Sequence, residues 1–163
     1  MPFKRLRAGG SASTADSIAP HFELGRRGED LALEHLEDSG YRIVAANFRL
    51  PVGRNTRDVI VHAEIDIVAY DGPTLCFVEV KTRASDEFAP PQVNVDLRKR
   101  RQVARAARAY RRMMGLTNSS YRYDVVTVVL AQDAQNEPRL ELLRNFWTDE
   151  KLRKRNWRDA NWY

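Results

Sequence analysis

Cysteine occurs once in the 163 residues, as Cys76 inside an apolar run, so no intramolecular disulfide can form and nothing implies an oxidising compartment. No stretch approaches the roughly 20 consecutive apolar residues needed to span a bilayer. The basic start, with Lys4, Arg5 and Arg7, lacks the apolar segment of a secretory signal. These absences predict a cytoplasmic protein that does not enter a membrane. Histidine is nearly as scarce: His21, His35 and His62 are scattered and, with one cysteine, offer no zinc-ligand spacing. Nothing in the sequence gives His35 or His62 an orienting partner, so both read as ordinary polar positions. Acid is the minority charge, with 22 Asp plus Glu against 27 Lys plus Arg, a formal charge of +5 and a pI of about 9.6. That excess favours polyanionic partners, nucleic acid first, although a ribosome-like or membrane-surface role fits the same charge.

The length suits one domain with a real core. Residues 1–19 read as a flexible basic arm whose charge is incidental, 20–147 as the folded domain, and 148–163 as a basic aromatic tail. Apolar residues at helical spacing, among them Leu24, Ala32 and Leu36, predict a helix over residues 22–39, with Gly40 as its cap. A strand follows over 41–50, then a polar excursion marked by Pro51, Gly53, Asn55 and Asp58. Residues 64–70 and 74–82 are predicted strands joined by a hairpin at Asp71-Gly72, lengthened by Pro73. Residues 95–114 show the longest helical pattern, 122–131 read as a buried strand, and 139–144 as an edge strand. The order predicts an α/β fold: a mixed β-sheet flanked by helices.

Two apolar strands carry charges where pattern alone would place hydrophobic residues. Strict alternation puts Glu64 and Asp66 on one face and Ile65 and Ile67 on the other, and it places Glu79 with Lys81. A hairpin brings the two charged faces together as a cluster of Asp66, Glu79 and Lys81, with Glu64 nearby. Partly buried carboxylates are costly unless a cation or hydrogen bonds compensate. Hard oxygen ligands select Mg²⁺ or Mn²⁺. Such a metal suits phosphodiester hydrolysis, with Lys81 supplying an ammonium for the water or the transition state. A structural salt bridge among the three side chains is the plainer alternative.

The run Glu64-Ile65-Asp66, the hairpin, and then Phe77-Val78-Glu79-Val80-Lys81-Thr82-Arg83 resembles the signature of PD-(D/E)XK nucleases, and more closely that of the YraN-like family of predicted endonucleases. The resemblance extends to the segment from Gly25 to Ala32 (GRRGEDLA), to Asn47-Phe48-Arg49, to the basic stretch from Lys99 to Tyr110, and to Arg122-Tyr123-Asp124-Val125-Val126. It covers residues 22–146 and implies a restriction-endonuclease-like fold. It also implies Asp66 and Glu79 as metal ligands, the Val80 carbonyl as a third, and Lys81 as the catalytic lysine. Similar Holliday-junction resolvases use a first-helix glutamate, which maps to Glu29. Ala63 stands where the family usually has glycine, harmless unless that backbone needs positive φ. The connection over residues 51–62, with Arg54 and Arg57, is longer than the family's, and reads equally as a substrate-contacting loop or a surface insertion.

In the long helix, Arg98, Arg101, Arg105, Arg108 and Arg112 follow steps of three and four on one face, and Val103, Ala107, Tyr110 and Met114 on the other. A surface face normally mixes signs, yet residues 97–122 contain no Asp or Glu. Such a row binds successive phosphates without reading sequence, and Lys99 and Arg100 extend it towards the acidic cluster. In the tail, Trp157, Trp162 and Tyr163 lie among basic residues. They suit base stacking, but docking on the domain itself or on a second copy, giving a homodimer, is the commoner use. The expected function is metal-dependent hydrolysis of DNA, branched or damaged structures in particular; the alternatives are the same chemistry on RNA and a non-catalytic nucleic-acid-binding module.

Overall fold

The computed structural model describes residues 15–84, 94–131 and 136–152. In chain order these form α1 (Ala15–Asp38), β1 (Arg42–Arg54), β2 (Ile60–Asp71), β3 (Thr74–Arg83), α2 (Leu97–Met113), β4 (Tyr121–Val129), β5 (Arg139–Trp147) and a 3₁₀ turn at Asp149–Leu152. The helix expected to begin at Phe22 begins at Ala15, within the stretch read as an arm. Extending an existing helix needs no apolar pattern, because propagation adds hydrogen bonds without a new nucleus, although Pro20 donates none. The rest of the expected arm, 1–14, and the aromatic end of the tail, 153–163, lie outside the described residues.

Both long helices stop where their sequences predict. Gly40, at φ +88°, lets Tyr41 N–H reach the Leu36 carbonyl at 2.9 Å and its own N–H reach Glu37 at 2.9 Å. Gly115, at φ +69°, closes α2 in the same way onto Arg111 and Arg112. At the other end of α2, the Asp96 carboxylate accepts Lys99 N–H at 2.8 Å as an N-cap.

The five strands lie in the order β1-β2-β3-β4-β5, antiparallel except for the parallel pair β3 and β4, with α2 in the crossover between them. The sheet is thus mixed and flanked by helices, as expected of a restriction-endonuclease-like α/β fold. The α2 side buries Ile65, Val68, Leu75, Phe77 and Trp147 with Val103, Ala106 and Tyr110; the α1 side buries Ile67, Cys76, Val78 and Val126 with Ala32 and Leu36.

Two details depart from expectation. Residues 51–54 are not an irregular excursion: β1 continues through Pro51 and Gly53 to a turn at residues 55–59. As an edge strand β1 tolerates a proline, and a bulge between Pro51 and Gly53, with Gly53 at φ +135°, absorbs the irregularity. Alternation also breaks in β2, because Ile65 packs on the α2 side and Ile67 on the α1 side. Across from this point, between the pairs Ala46↔Ile67 and Phe48↔Ile65, Asn47 takes φ +51°. Asp66 therefore sits at the switch of faces.

Candidate active site

At Asp66 the sheet also begins to open. The β2–β3 pairing ends at Ile67↔Val78, and beyond it the Asp66 Oδ2 atom accepts the Val80 N–H at 2.9 Å. A side chain has replaced a strand partner, which fixes the carboxylate against β3. Beside it Glu79 is almost wholly buried, its side chain 2% exposed. Lys81 Nζ lies 3.1 Å from Glu79 Oε1. Lys99 Nζ, from the first turn of α2, lies 3.1 Å from Glu79 Oε2 and 3.9 Å from Asp66 Oδ1. Two carboxylates thus face two ammonium groups at the C-terminal end of β3, where the parallel pair meets the N-terminus of α2. Such ends are where open α/β sheets form ligand sites. A small cavity of about 60 Å³ adjoins them, lined by Lys81, Thr82, Asn94 and Thr127.

Burial raises the Glu79 carboxyl above its usual range, and the Asp66 charge adds to the rise; Lys99 and Lys81 oppose it. Burial by itself would lower Lys99, but Asp66 and Glu79 more than offset that and raise it. Glu79 Oε2 has a charge partner in Lys99 at 3.1 Å but no well-formed hydrogen bond among the described residues. A buried carboxylate oxygen without a well-formed hydrogen bond is what a cation would satisfy. Among the described residues no group of three or more His, Cys, Asp or Glu is arranged to hold a metal. Two carboxylates nevertheless suit Mg²⁺ or Mn²⁺, since magnesium keeps several waters and takes substrate phosphate oxygens as its remaining ligands.

Asp66, Glu79, Lys81 and the Val80 peptide are therefore brought together, but two other candidates are not in this cluster. Glu64 does not share a face with Asp66, as strict alternation required. With Glu29, Phe22, Arg26 and Asn47 it lines an open groove of about 670 Å³ between α1 and the β1–β2 pair. Glu64 still contributes to raising Lys99, so the two sites lie within electrostatic reach. Ala63 is buried in the α2-side core and is not among the residues at positive φ, so its replacement of glycine costs the backbone nothing.

On α2, Arg98, Arg105, Arg108 and Arg112 are exposed and Arg101 is half-buried, while Val103, Ala107 and Tyr110 are buried. Met114 is not packed: it lies past the helix end, 48% exposed. Lys99 leaves the expected phosphate row for the carboxylates. Arg100 turns inward too, donating from Nε to the Val95 carbonyl at 2.6 Å and covering the Phe146 and Trp147 rings.

Sequence reasoning missed the place of Lys99, although a signal was present. Lys99, Val103, Ala106 and Tyr110 follow steps of four, three and four, which puts the lysine in phase with the buried face. It also passed over Gly28. A Cβ on Gly28 would stand 1.8 Å from Thr82 Oγ1, so only glycine lets α1 approach β3 this closely next to Lys81.

The profile of the uncharacterised protein family UPF0102 matches residues 28–128, which contain this whole cluster. The chain is 42% identical to a UPF0102 protein of Solibacter usitatus over 120 residues, covering 74% of this chain and 82% of that one. A UPF0102 protein of Geobacter sulfurreducens is 43% identical over 123 residues, 75% of this chain and 86% of the relative. One from Koribacter versatilis is 39% identical over 136 residues, 80% and 87% of the two chains.

Proposed function

The chain belongs to the uncharacterised protein family UPF0102, and from the chemistry of its Asp66–Glu79–Lys81–Lys99 cluster we propose a metal-dependent nuclease that hydrolyses phosphodiester bonds. DNA is the substrate, branched or damaged DNA in particular, and the cytoplasm is the place of action. The carrying observation is that two carboxylates and two ammonium groups meet at one end of β3, with the arginines of α2 starting from the same end.

Asp66 and Glu79 would hold a cation of the Mg²⁺ or Mn²⁺ class, with the Val80 carbonyl as a further oxygen. When bound, such an ion offsets phosphate charge and lowers the pKa of a water. The Val80 N–H fixes one Asp66 oxygen and leaves the other to turn towards the cluster. Lys81, with its side chain 36% exposed, reaches both Glu79 and solvent, which suits it to orient the attacking water or to neutralise the phosphate as charge develops. The exposed arginines of α2 hold the backbone on either side. Glu29 and Glu64, which line the neighbouring groove, would orient water at the edge of the site rather than contact the phosphate.

The test is a screen of labelled linear, nicked, flapped, junction and single-stranded DNA and RNA with Mg²⁺, Mn²⁺ or EDTA. Cleavage should require the metal and fall by about 100-fold or more in Asp66→Asn or Glu79→Gln. Calorimetry should show weakened Mn²⁺ binding in both variants. Cleavage that survives in EDTA would contradict the reading, and RNA-only cleavage would move the substrate class. One observation favours a second reading: the cluster is already balanced, two charges against two, as a non-catalytic nucleic-acid-binding module on this fold would require. Tight binding without cleavage of any substrate in any metal would establish that module instead.

A further inference from the structure

The β1–β2 hairpin outruns the rest of the sheet. Its β2 strand pairs with β3 only from Ile67 to Asp71, whereas pairing with β1 continues out to Arg54↔Ile60. A two-stranded ribbon is marginal alone, and α2 supports this one from one side. Leu50, Ala63 and Ile65 are buried in the α2-side core, and Arg105 Nη2 donates to the Val52 carbonyl at 3.2 Å.

The tip beyond is fastened by Asn55. Its Oδ1 accepts the Arg57 and Val59 N–H groups at 2.9 and 3.0 Å, its N–H donates to the Val59 carbonyl at 2.9 Å, and its carbonyl accepts the Asp58 N–H at 3.0 Å. Arg54 Nη1 adds a bond to the Asp58 carbonyl at 2.7 Å, and Asp58 sits at φ +59°, a conformation that Asp tolerates. A turn bonded in this way holds its side chains in fixed positions. What it presents is apolar: Val59 is 57% exposed and Ile60 48% exposed. Arg54, Arg57 and His62 lie beside them along the hairpin, all exposed, and the one acid at the tip, Asp58, is already 3.6 Å from Arg54. Arg105 joins this basic tip to the arginine row on α2. An apolar pair on an ordered, exposed hairpin is a liability without a partner, and its cationic frame selects a polyanion.

We propose that the hairpin tip is a wedge, in which Val59 and Ile60 insert against the bases at an unstacked or distorted step of a DNA whose backbone follows the α2 arginines. Arg54 and Arg57 hold the flanking phosphates. The inference rests on the nucleic-acid half of the proposed function and not on its nuclease half. Ile60 lies six residues from Asp66 along β2, a span of about 20 Å. At about 3.4 Å per base step, that span corresponds to about six steps of DNA between the wedge and the carboxylate cluster. Apolar wedges succeed at such steps because the side chain replaces lost base stacking while bending exposes more backbone.

The test uses the full chain in EDTA with DNA duplexes carrying 2-aminopurine at successive positions, with and without a mismatch or branch. Fluorescence should rise at one position of the duplex and not at its neighbours. In the double variant Val59→Ser, Ile60→Ser, both sites being exposed, the rise should vanish and preference for distorted over perfect duplex should fall by about tenfold. Binding to perfect duplex should stay nearly constant. Unchanged fluorescence and preference in the double variant would overturn the wedge. So would a change from dimer to monomer in sedimentation with DNA binding untouched, which would make the tip a contact between copies. Wild-type protein that gives the fluorescence signal yet cleaves nothing would support the wedge while removing the nuclease reading. Failure to bind any DNA would overturn the wedge itself.

Discussion

Lys99 decides how the cluster behaves without a metal. Breaking a buried ion pair by removing one partner costs about 3–5 kcal/mol, because the other charge is left uncompensated. Lys99 is partly exposed, its side chain 29% accessible, and Glu79 keeps Lys81, so Lys99→Met should cost less than that range. A divalent cation would then replace the missing charge. Mn²⁺ should raise the melting temperature of Lys99→Met by more than it raises that of wild type, as read by calorimetry in Mn²⁺ and in EDTA. Equal increments in the two proteins would show that Lys99 does not occupy the place of the cation. Lys81→Ala is the useful contrast: Lys81 also pairs with Glu79, but its proposed role lies with water or phosphate, so cleavage should be lost while Mn²⁺ binding remains. Loss of Mn²⁺ binding in that variant would make Lys81 a support of the metal site instead.

At the scale of elements, α2 serves both parts of the proposed function: its first turn supplies Lys99 to the carboxylates and its outer face supplies arginines. Among the described residues the guanidinium groups of Arg98, Arg101 and Arg112 meet no hydrogen-bond or ion-pair partner, whereas Arg105 is tied to Val52. Replacing Arg98, Arg101 and Arg112 with Gln should therefore weaken DNA binding equally for all sequences and leave the fold intact. The slope of log K against log salt should flatten by about 0.9 for each duplex phosphate that an arginine no longer neutralises. An unchanged slope, measured by salt titration, would remove this face from the interface. The amphipathic pattern of α2 was legible because helical spacing separates Val103, Ala107 and Tyr110 from the arginines. Asp66, Glu79 and Lys81 were legible because charges interrupt apolar strands. The separation of Glu64 from Asp66 was not, since it depends on a change of face opposite Asn47 that alternation cannot anticipate. The full length of the β1–β2 hairpin was hidden for a different reason: Pro51 and Gly53 are turn formers in general, and only an edge strand with a bulge accommodates them.

For the whole molecule, the sheet is pinned by a polar network on its α1 side, the face opposite Glu79, reaching towards the β2–β3 hairpin. Asp124, fully buried, accepts from Tyr41 Oη at 3.0 Å, from Arg122 Nε at 2.9 Å and from the Asn145 N–H at 2.8 Å; Arg122 also pairs with Asp71. Each polar group of the network thus offsets the burial of another. Cys76 is buried in the α1-side core, where burial first and the Asp124 charge second push its thiol from 9.0 up to about 12. The same two causes push Tyr41 from 10.0 up to about 12. Both groups are neutral when protonated, and both hold their protons more tightly folded than unfolded. Between pH 9 and 12 the unfolded chain therefore binds fewer protons than the folded one, and stability falls as pH rises. Each group can contribute at most about 1.4 kcal/mol per pH unit within its own window. Below pH 9 the contribution of Cys76 is fully present. Cys76→Ala removes the earlier of the two titrations and, although the missing sulfur lowers stability at every pH, it should make the decline between pH 9 and 10 shallower than in wild type. Urea midpoints measured at half-unit intervals would show this, and parallel curves for the two proteins would mean that Cys76 does not titrate with unfolding.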